Sequence, residues 1–497
     1  MHSLRDLSTS LFVALTVAST AFAAPAADSE PDRSAGVASP ERSSSDSPRA
    51  AESAGPPLAP GERRALPDYD GRGPDPRPRG SGWLWLPRLV LSPLYLTSEF
   101  AVRRPLGYVV TTAERHKWPS LLVDFFTFGP RRQAGLVPTA LIDFGFRPSI
   151  GALFFWNDAG FDGNDLRLRA AWGGPDWRTF SVSDFIDVTP GQELDLRLRS
   201  STRPDWVFHG LGPKSGSRRA RFRENRITAA AEYRWKGWRS SEVVSSVGIQ
   251  DSEFDATSRC CGSRSVSDEV TRGRYPLPDG MAGYTALKSS LAVSIDSRPR
   301  RKLDDPAPGS DFVSPPGSGY RLAGRVAHGA DLRAPDDPAR TRYEWLRYGA
   351  TLGGYVDLTG QQRVLGLEVI VDFADPLLEG SGIPFTELVS LGGKRPMRGF
   401  LAGRLRDRSA FVAHLEYQYP VWAWLDGTVH YDLGNVFGPG LEGIDAKLLR
   451  QSFGMGIRAN NRREHALELL IGAGTRTFED GGGVEALRLV LGASSGF

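Results

Sequence analysis

Cys260 and Cys261 are the only thiols in the chain and stand side by side in a run of Ser, Arg, Asp and Gly. The chemistry open to them is a vicinal disulfide in an oxidising compartment or two loop thiols. They have neither C-x-x-C spacing nor a nearby His, which argues against a metal site. The seven histidines are scattered. No H-E-x-x-H or G-x-x-x-x-G-K-[ST] occurs, the one G-x-S-x-G (Gly492 to Gly496) ends an alternating strand and opens no strand-to-helix turn, and GLGPKSGS (210–217) has the wrong spacing for a phosphate loop. No catalytic residue, metal or cofactor is expected. The most distinctive polar stretch is SLGGKRPMRGF at 390–400. Gly392, Gly393 and Gly399 let a chain turn tightly and come close to another backbone. Arg398 brings a guanidinium fork, which inside a protein needs carboxylates and pairs with them in an oriented, bidentate way.

The elements that must position such residues are legible from periodicity. Arg5 precedes the apolar run Leu11 to Val17, and Ala21-Phe22-Ala23 has the small-x-small form of a cleavage site, so residues 1–23 read as a secretory signal. The run is too short for a helical anchor, which needs ~20 apolar residues. No Cys lies at the boundary, so a lipid-modified N-terminus is not expected. Residues 24–82, with stretches such as ERSSSDSPRAAESAGPPLAPGERR, hold too few large apolar side chains to fold and read as a disordered linker. In 83–118, Leu89, Val90, Leu91, Leu94, Tyr95, Leu96 and Phe100 recur near helical spacing, which predicts one or two short amphipathic helices that lie at the membrane surface, plug a pore or pack at a rim.

Beyond residue 130 the period becomes two. In DLRLR (165–169) and ELDLRLR (193–199) leucines alternate with charges, the pattern of a strand with Leu towards lipid and Arg or Asp towards a watery lumen. Similar runs continue to EALRLVLGA near the C-terminus, sixteen in all, and the span from Gly135 to Phe497 accommodates sixteen strands of ~10 residues with their turns and loops. Residues 119–497 are therefore expected to form an all-β fold, a 16-stranded antiparallel transmembrane β-barrel behind a short N-terminal helical segment. An even, closed set leaves no unpaired edge, which in hydrocarbon costs several kcal/mol per amide. Aromatics near strand ends, including Phe154, Phe155, Trp156, Trp172, Tyr233, Trp235, Tyr417, Tyr419, Trp422 and Trp424, suit interface girdles. The alternating last strand closes on Phe497, a C-terminal assembly signal of outer-membrane barrels.

Bulk properties agree with this reading without deciding it. Mean hydropathy is -0.30 and charged residues make up 24%, values that a soluble protein and a barrel share. The net charge of +3 and the lack of a basic stripe interleaved with aromatics exclude nucleic acid as a partner.

SLGGKRPMRGF, followed by LEYQYP (415–420) and YDLGNVF (431–437), resembles the C-terminal half of the BamA/TamA family, the bacterial surface-antigen barrels. Upstream, IDSRPRRKLDDPAPG (295–309) and FHGLGPKS (208–215) resemble that family's D-x-R and F-x-G-x-G elements, in the same order. The resemblance covers roughly residues 120–497. It implies that a long sixth extracellular loop folds into the lumen, and that Arg398 of the Arg398-Gly399-Phe400 tip meets Glu416 and Asp432 on the twelfth and thirteenth strands. It also implies thinning and lateral opening between the first and last strands. The family's insertases and translocases carry periplasmic POTRA domains of ~75 residues, and the linker and helical segment leave no room for one. This puts insertase activity by that route in doubt and leaves the fold untouched.

The function expected is protein insertion or translocation at the cell outer membrane, or a related step of envelope biogenesis. Its expected partners are outer-membrane lipids, other outer-membrane proteins as clients and periplasmic proteins. The alternative is a passive pore or structural outer-membrane protein without insertase activity; a secreted soluble β-sandwich is the remaining reading.

Overall fold

A computed structural model of the chain describes residues 125–129, 133–299, 317–333, 342–360, 362–394, 396–422, 425–459 and 467–493, with isolated positions between 85 and 112. The expected signal (1–23) and linker (24–82) lie outside the described residues, as does most of the helical segment (83–118). The isolated positions in that segment, among them Trp85, Leu89, Leu96, Arg104 and Tyr108, are helical.

Sixteen antiparallel strands make one closed wall: β1 (Ala134–Asp143), β2 (Ser149–Trp156), β3 (Asn164–Gly174), β4 (Trp177–Thr189), β5 (Gln192–Phe208), β6 (Ala220–Lys236), β7 (Glu242–Asp255), β8 (Tyr284–Asp296), β9 (Gly319–Asp331), β10 (Glu344–Asp357), β11 (Val364–Pro376), β12 (Ser409–Trp422), β13 (Leu425–Phe437), β14 (Arg450–Ala459), β15 (Leu467–Thr475) and β16 (Val484–Ala493). Each pairs with its sequence neighbour, and β16 returns to pair with β1. The expected count and topology are those observed.

Alternation explains why these segments are strands. Ile150, Ile227, Leu322, Leu352, Leu367 and Leu487 point outward and are exposed, while the intervening positions, such as Glu368, Asp372, Thr428 and Ser452, are buried inside. An apolar exterior over a polar interior fits a wall standing in lipid. No described helix is long and apolar enough to cross a membrane, which bears only on helices. Trp156, Trp172 and Trp235 are exposed, as a girdle requires, whereas Tyr417 is buried beneath Leu358 and stacks on Tyr419 with ring centroids 5.6 Å apart. Trp424 lies outside the described residues.

One end has tight turns, as from Thr189 to Gln192 and Lys236 to Glu242, beside the longer connection from Asp296 to Gly319. Connections are long at the other, where Asp255 to Tyr284 carries helix α1 (Val266–Thr271) and Pro376 to Ser409 carries a small ribbon of Val389–Leu391 with Leu405–Asp407. The main apolar core sits inside the barrel towards the long-loop end. Phe385 of the Pro376–Ser409 loop is its hub, with ring centroids 5.7 Å from Phe208, 5.2 Å from Phe222 and 5.2 Å from Phe254. A loop with such a hub is held as a plug is held, by apolar burial on all sides.

In the loop between β7 and β8, Cys260 and Cys261 are joined as a disulfide, the first of the two states open to them. At the short-turn end the Asp296-Ser297-Arg298 segment closes on itself: Arg298 lays its guanidinium on Asp296 and over the Tyr355 ring, 3.4 Å from the centroid.

Candidate functional site

The tip of the Pro376–Ser409 loop, residues 396–400, reaches the inner wall at β12 to β15. Its geometry follows from small residues on both sides. Gly392 (φ +100°) and Gly393 (φ +88°) take left-handed conformations that side chains disfavour. Gly399 lies so close to β15 that a Cβ there would collide with the backbone of Ala473. The wall answers with inward glycines, Gly454 on β14 and Gly472 and Gly474 on β15; a Cβ on Gly474 would strike the Phe400 ring. Phe400 is fully buried, a contribution of roughly 1.5–3 kcal/mol for such a side chain.

Met397 is a feature that composition does not announce. It holds φ +65° while fully buried, a conformation uncommon for a residue with a side chain. That turn aims its amide at Asp432 Oδ2, 3.1 Å away, and turns Arg398 to the opposite carboxylate.

Arg398 Nη2 donates to Glu416 Oε2 at 2.5 Å, and Arg458 on β14 lies 3.2 Å from the other oxygen, Oε1. Glu416 is thus bridged by two guanidinium groups. Asp432 does not take the Arg398 fork; its carboxylate accepts the Met397 amide and is bonded to His414 Nδ1. His414 also places Nε2 3.8 Å from Glu416, so that one imidazole lies between the two acids, while His430 sits 4.0 Å from Asp432. All these side chains are buried. The Gly399 amide donates to Ser452 Oγ at 2.9 Å, fixing the last residue of the turn.

A second anchor ties the loop to the seam where the barrel closes. Arg488 on β16 donates from Nε and Nη2 to the two oxygens of Asp143 on β1, at 3.0 and 2.8 Å. Its remaining nitrogen, Nη1, donates to the carbonyls of Gly393 (2.5 Å) and Arg398 (3.1 Å). One buried guanidinium therefore holds β1, β16 and the inserted loop. Among the described residues β1 and β16 pair Leu141 with Gly492, Ile142 with Leu491 and Asp143 with Val490, and the Phe144 amide donates to the Leu489 carbonyl at 2.9 Å.

At the long-loop end a third cluster caps the loop. Glu485 is shared by Arg404 and Arg450, each at 2.8 Å, and both arginines donate to the Ser215 carbonyl. The GLGPKS stretch thus serves as a backbone acceptor, and Asn435 adds a bond to Pro213.

The residues singled out in sequence are therefore placed as follows. Arg398 and Glu416 meet directly; Asp432 adjoins the same tip through backbone and His414; Gly392, Gly393, Gly399 and Phe400 shape and seat it. Phe497 lies outside the described residues, and β16 is described to Ala493. Sequence reading missed Arg488, Asp143, His414, Arg458 and Ser452. The alternation marks all of them as inward, yet nothing in one sequence says which inward positions face the loop. Among the described residues no group of three or more His, Cys, Asp or Glu is placed to hold a metal ion.

Comparison with known proteins adds a domain match. Residues 313–461, which contain the loop, its tip and both acidic partners, match the Omp85 superfamily domain. Solved barrels similar to the chain include BamA from Haemophilus ducreyi lacking POTRA domains 1–3, with 14% identity, a TM-score of 0.46 and coverage of 73% of this chain and 70% of that one. CdiB from Acinetobacter baumannii shows 11% identity and a TM-score of 0.43, with 72% of this chain and 59% of that one covered. No curated protein matches the chain in sequence. Residues 313–461 thus match the Omp85 superfamily domain, and they lie within a sixteen-stranded antiparallel β-barrel.

Proposed function

We propose that this barrel works in the insertion or translocation of proteins at the outer membrane, or in a related step of envelope biogenesis, by opening between β1 and β16. The observation that carries the proposal is the seam. Among the described residues its buried ion pair, Asp143 with Arg488, is made by the guanidinium that also binds the inserted loop. A seam clasped to the loop by one guanidinium can be released when the loop moves, without unravelling the other fifteen junctions. The absence of water in lipid makes unpaired strand edges costly, so an open seam is a place where a client strand gains by pairing. Outer-membrane lipids, client barrels and periplasmic proteins are the partners this role calls for, and no catalytic chemistry enters it.

Depletion of the protein in its native host, followed by quantitative proteomics of the purified outer membrane, tests the proposal. Loss of a defined set of other barrels or surface lipoproteins is expected and names the clients. An unchanged outer-membrane proteome together with high, selective conductance in planar bilayers would instead assign a passive pore.

A further inference from the structure

We infer that the lumen wall built by β3, β4 and β5 binds a phosphate-class oxyanion between Arg169 and Arg199, over the hydroxyls of Ser181 and Ser183. This goes beyond the insertion role and stands whether or not the seam opens.

Strand register puts the parts together. Arg169 pairs with Ser181, and Ser181 in turn with Arg199; one row along, Arg167 pairs with Ser183 and Ser183 with Arg197. These side chains share the inner face, because the alternating Leu196 and Leu198 are 41% and 49% exposed outside. Adjacent strands lie about 4.8 Å apart, so the Cα atoms of Arg169 and Arg199 are about 10 Å apart, a span that two arginine side chains close upon one anion. The serines between them are short and buried, covered by the longer arginine side chains on either side.

Charge bookkeeping singles out these two arginines. Their neighbours on this part of the wall are each matched to a carboxylate: Arg167 with Asp165, Arg197 with Asp195, Arg203 with Asp205, Arg226 with Glu224, Arg234 with Glu232 and Lys236 with Glu193. Among the described residues Arg169 and Arg199 have no such partner and no side-chain hydrogen bond, and the Nε of Arg199 is buried with its proton unused. The hydroxyls of Ser181 and Ser183 likewise donate to no described residue.

Arg169 stands among Arg197 and Arg167, and Arg199 among Arg226, Arg203 and Arg197, with only Asp195 and Glu224 as opposing charges, an excess of cation that costs free energy until an anion arrives. Two forks and two hydroxyls offer more donors than one carboxylate can accept, and they suit a tetrahedral group with several acceptor oxygens. The strand order reinforces the choice. In a ring of sixteen, β4 stands eight strands from β12, whose Glu416 is already bridged by Arg398 and Arg458, so the arginines without an ion pair lie on the side of the lumen away from the loop tip.

The phosphate can be free or borne by a lipid, and titration calorimetry on the purified full chain in detergent distinguishes the two, with sodium pyrophosphate and dihexanoyl phosphatidic acid as separate probes. One site per chain is expected, weakened by salt. R169Q/R199Q is expected to lower affinity at least tenfold, while R218Q/R219Q, which removes two exposed arginines of the β5–β6 loop, leaves it unchanged. Tighter binding of pyrophosphate supports a free oxyanion, and tighter binding of the lipid supports a headgroup. Absence of binding by both probes to the unaltered chain, or equal affinity in R169Q/R199Q, overturns the site. If the double variant does not fold, the singles R169Q and R199Q decide: each is expected to weaken binding at least threefold, and unchanged affinity in both overturns the inference.

Discussion

Arg488 on β16 grips Asp143 on β1 with two parallel hydrogen bonds of 3.0 and 2.8 Å, and spends its third nitrogen on the backbone of the inserted loop. Loop seating and seam closure therefore share one buried charge. Substituting Arg488→Gln strands Asp143 and frees two loop carbonyls, a loss of about 3–5 kcal/mol by comparison with other broken buried pairs. The expected result is a lower temperature of heat-modifiable gel mobility together with faster proteolysis inside residues 376–409. Asp143→Asn alone should weaken the seam and leave the loop protected; a loop as well protected in Arg488→Gln as in Asp143→Asn would separate the loop from the seam.

Arg398, Glu416 and Arg458 form one network, so their substitutions should not add. Arg398→Ala and Glu416→Gln are each expected to lower heat stability in detergent, and the double variant to fall short of the sum by 0.5 kcal/mol or more, the usual size of coupling between touching groups. Strict additivity would show that the pair is not coupled. Asp432→Asn acts on a different bond, the Met397 amide, and keeps an acceptor there, so the milder effect is expected of it.

Gly399→Ala tests the seating of the tip by shape alone. A Cβ at this position meets the Ala473 backbone, which belongs to a strand and cannot yield as a side chain does. The variant is expected to fold its barrel while exposing the loop to protease; full protection would mean that β15 gives way.

How much of this was readable beforehand differs between wall and site. The sixteen strands follow from side chains that must face lipid or water in turn, and DLRLR or ELDLRLR leaves little freedom to do otherwise. The tip is readable because glycines and an arginine are clustered in eleven residues. Asp143 and Arg488 are not, since they are separated by most of the chain and become neighbours only when the ring closes. Met397 escapes for another reason: its positive φ is imposed by the wall around it and contradicts its local preference.

Acid should spare the loop until low pH. Burial pushes the Glu387 carboxyl up, but Lys288, with Nζ at 2.8 Å, together with the Tyr284 hydroxyl and Arg347, outweighs it and holds the pKa at about 2, against 4.5 for the free group. The folded value is depressed, so this stabilisation is complete above pH 4.5 and is lost as pH falls from there towards 2. Protease protection of 376–409 is expected to hold from pH 7 to 5 and to decline below. In Lys288→Gln the decline should begin nearer neutrality; identical profiles would remove Lys288 from the account.

Reduction tests the Cys260–Cys261 disulfide. The bridge joins adjacent residues and closes almost no chain, so it removes little entropy from the unfolded state. Two thiols per chain should become titratable after reductant and none before, with heat-modifiable mobility unchanged. A fall in stability would mean that the β7–β8 loop depends on it.

The most direct measurement is to lock the seam. Ile142 and Leu491 face each other across it on the outer side. With Cys260 and Cys261 replaced by Ser, Ile142→Cys and Leu491→Cys can be joined by oxidation in the native host, and assembly of other outer-membrane proteins followed with and without reductant. The account predicts a folded, locked barrel whose cells lose their clients and regain them on reduction. Full client assembly with the seam locked would contradict lateral opening as the working step.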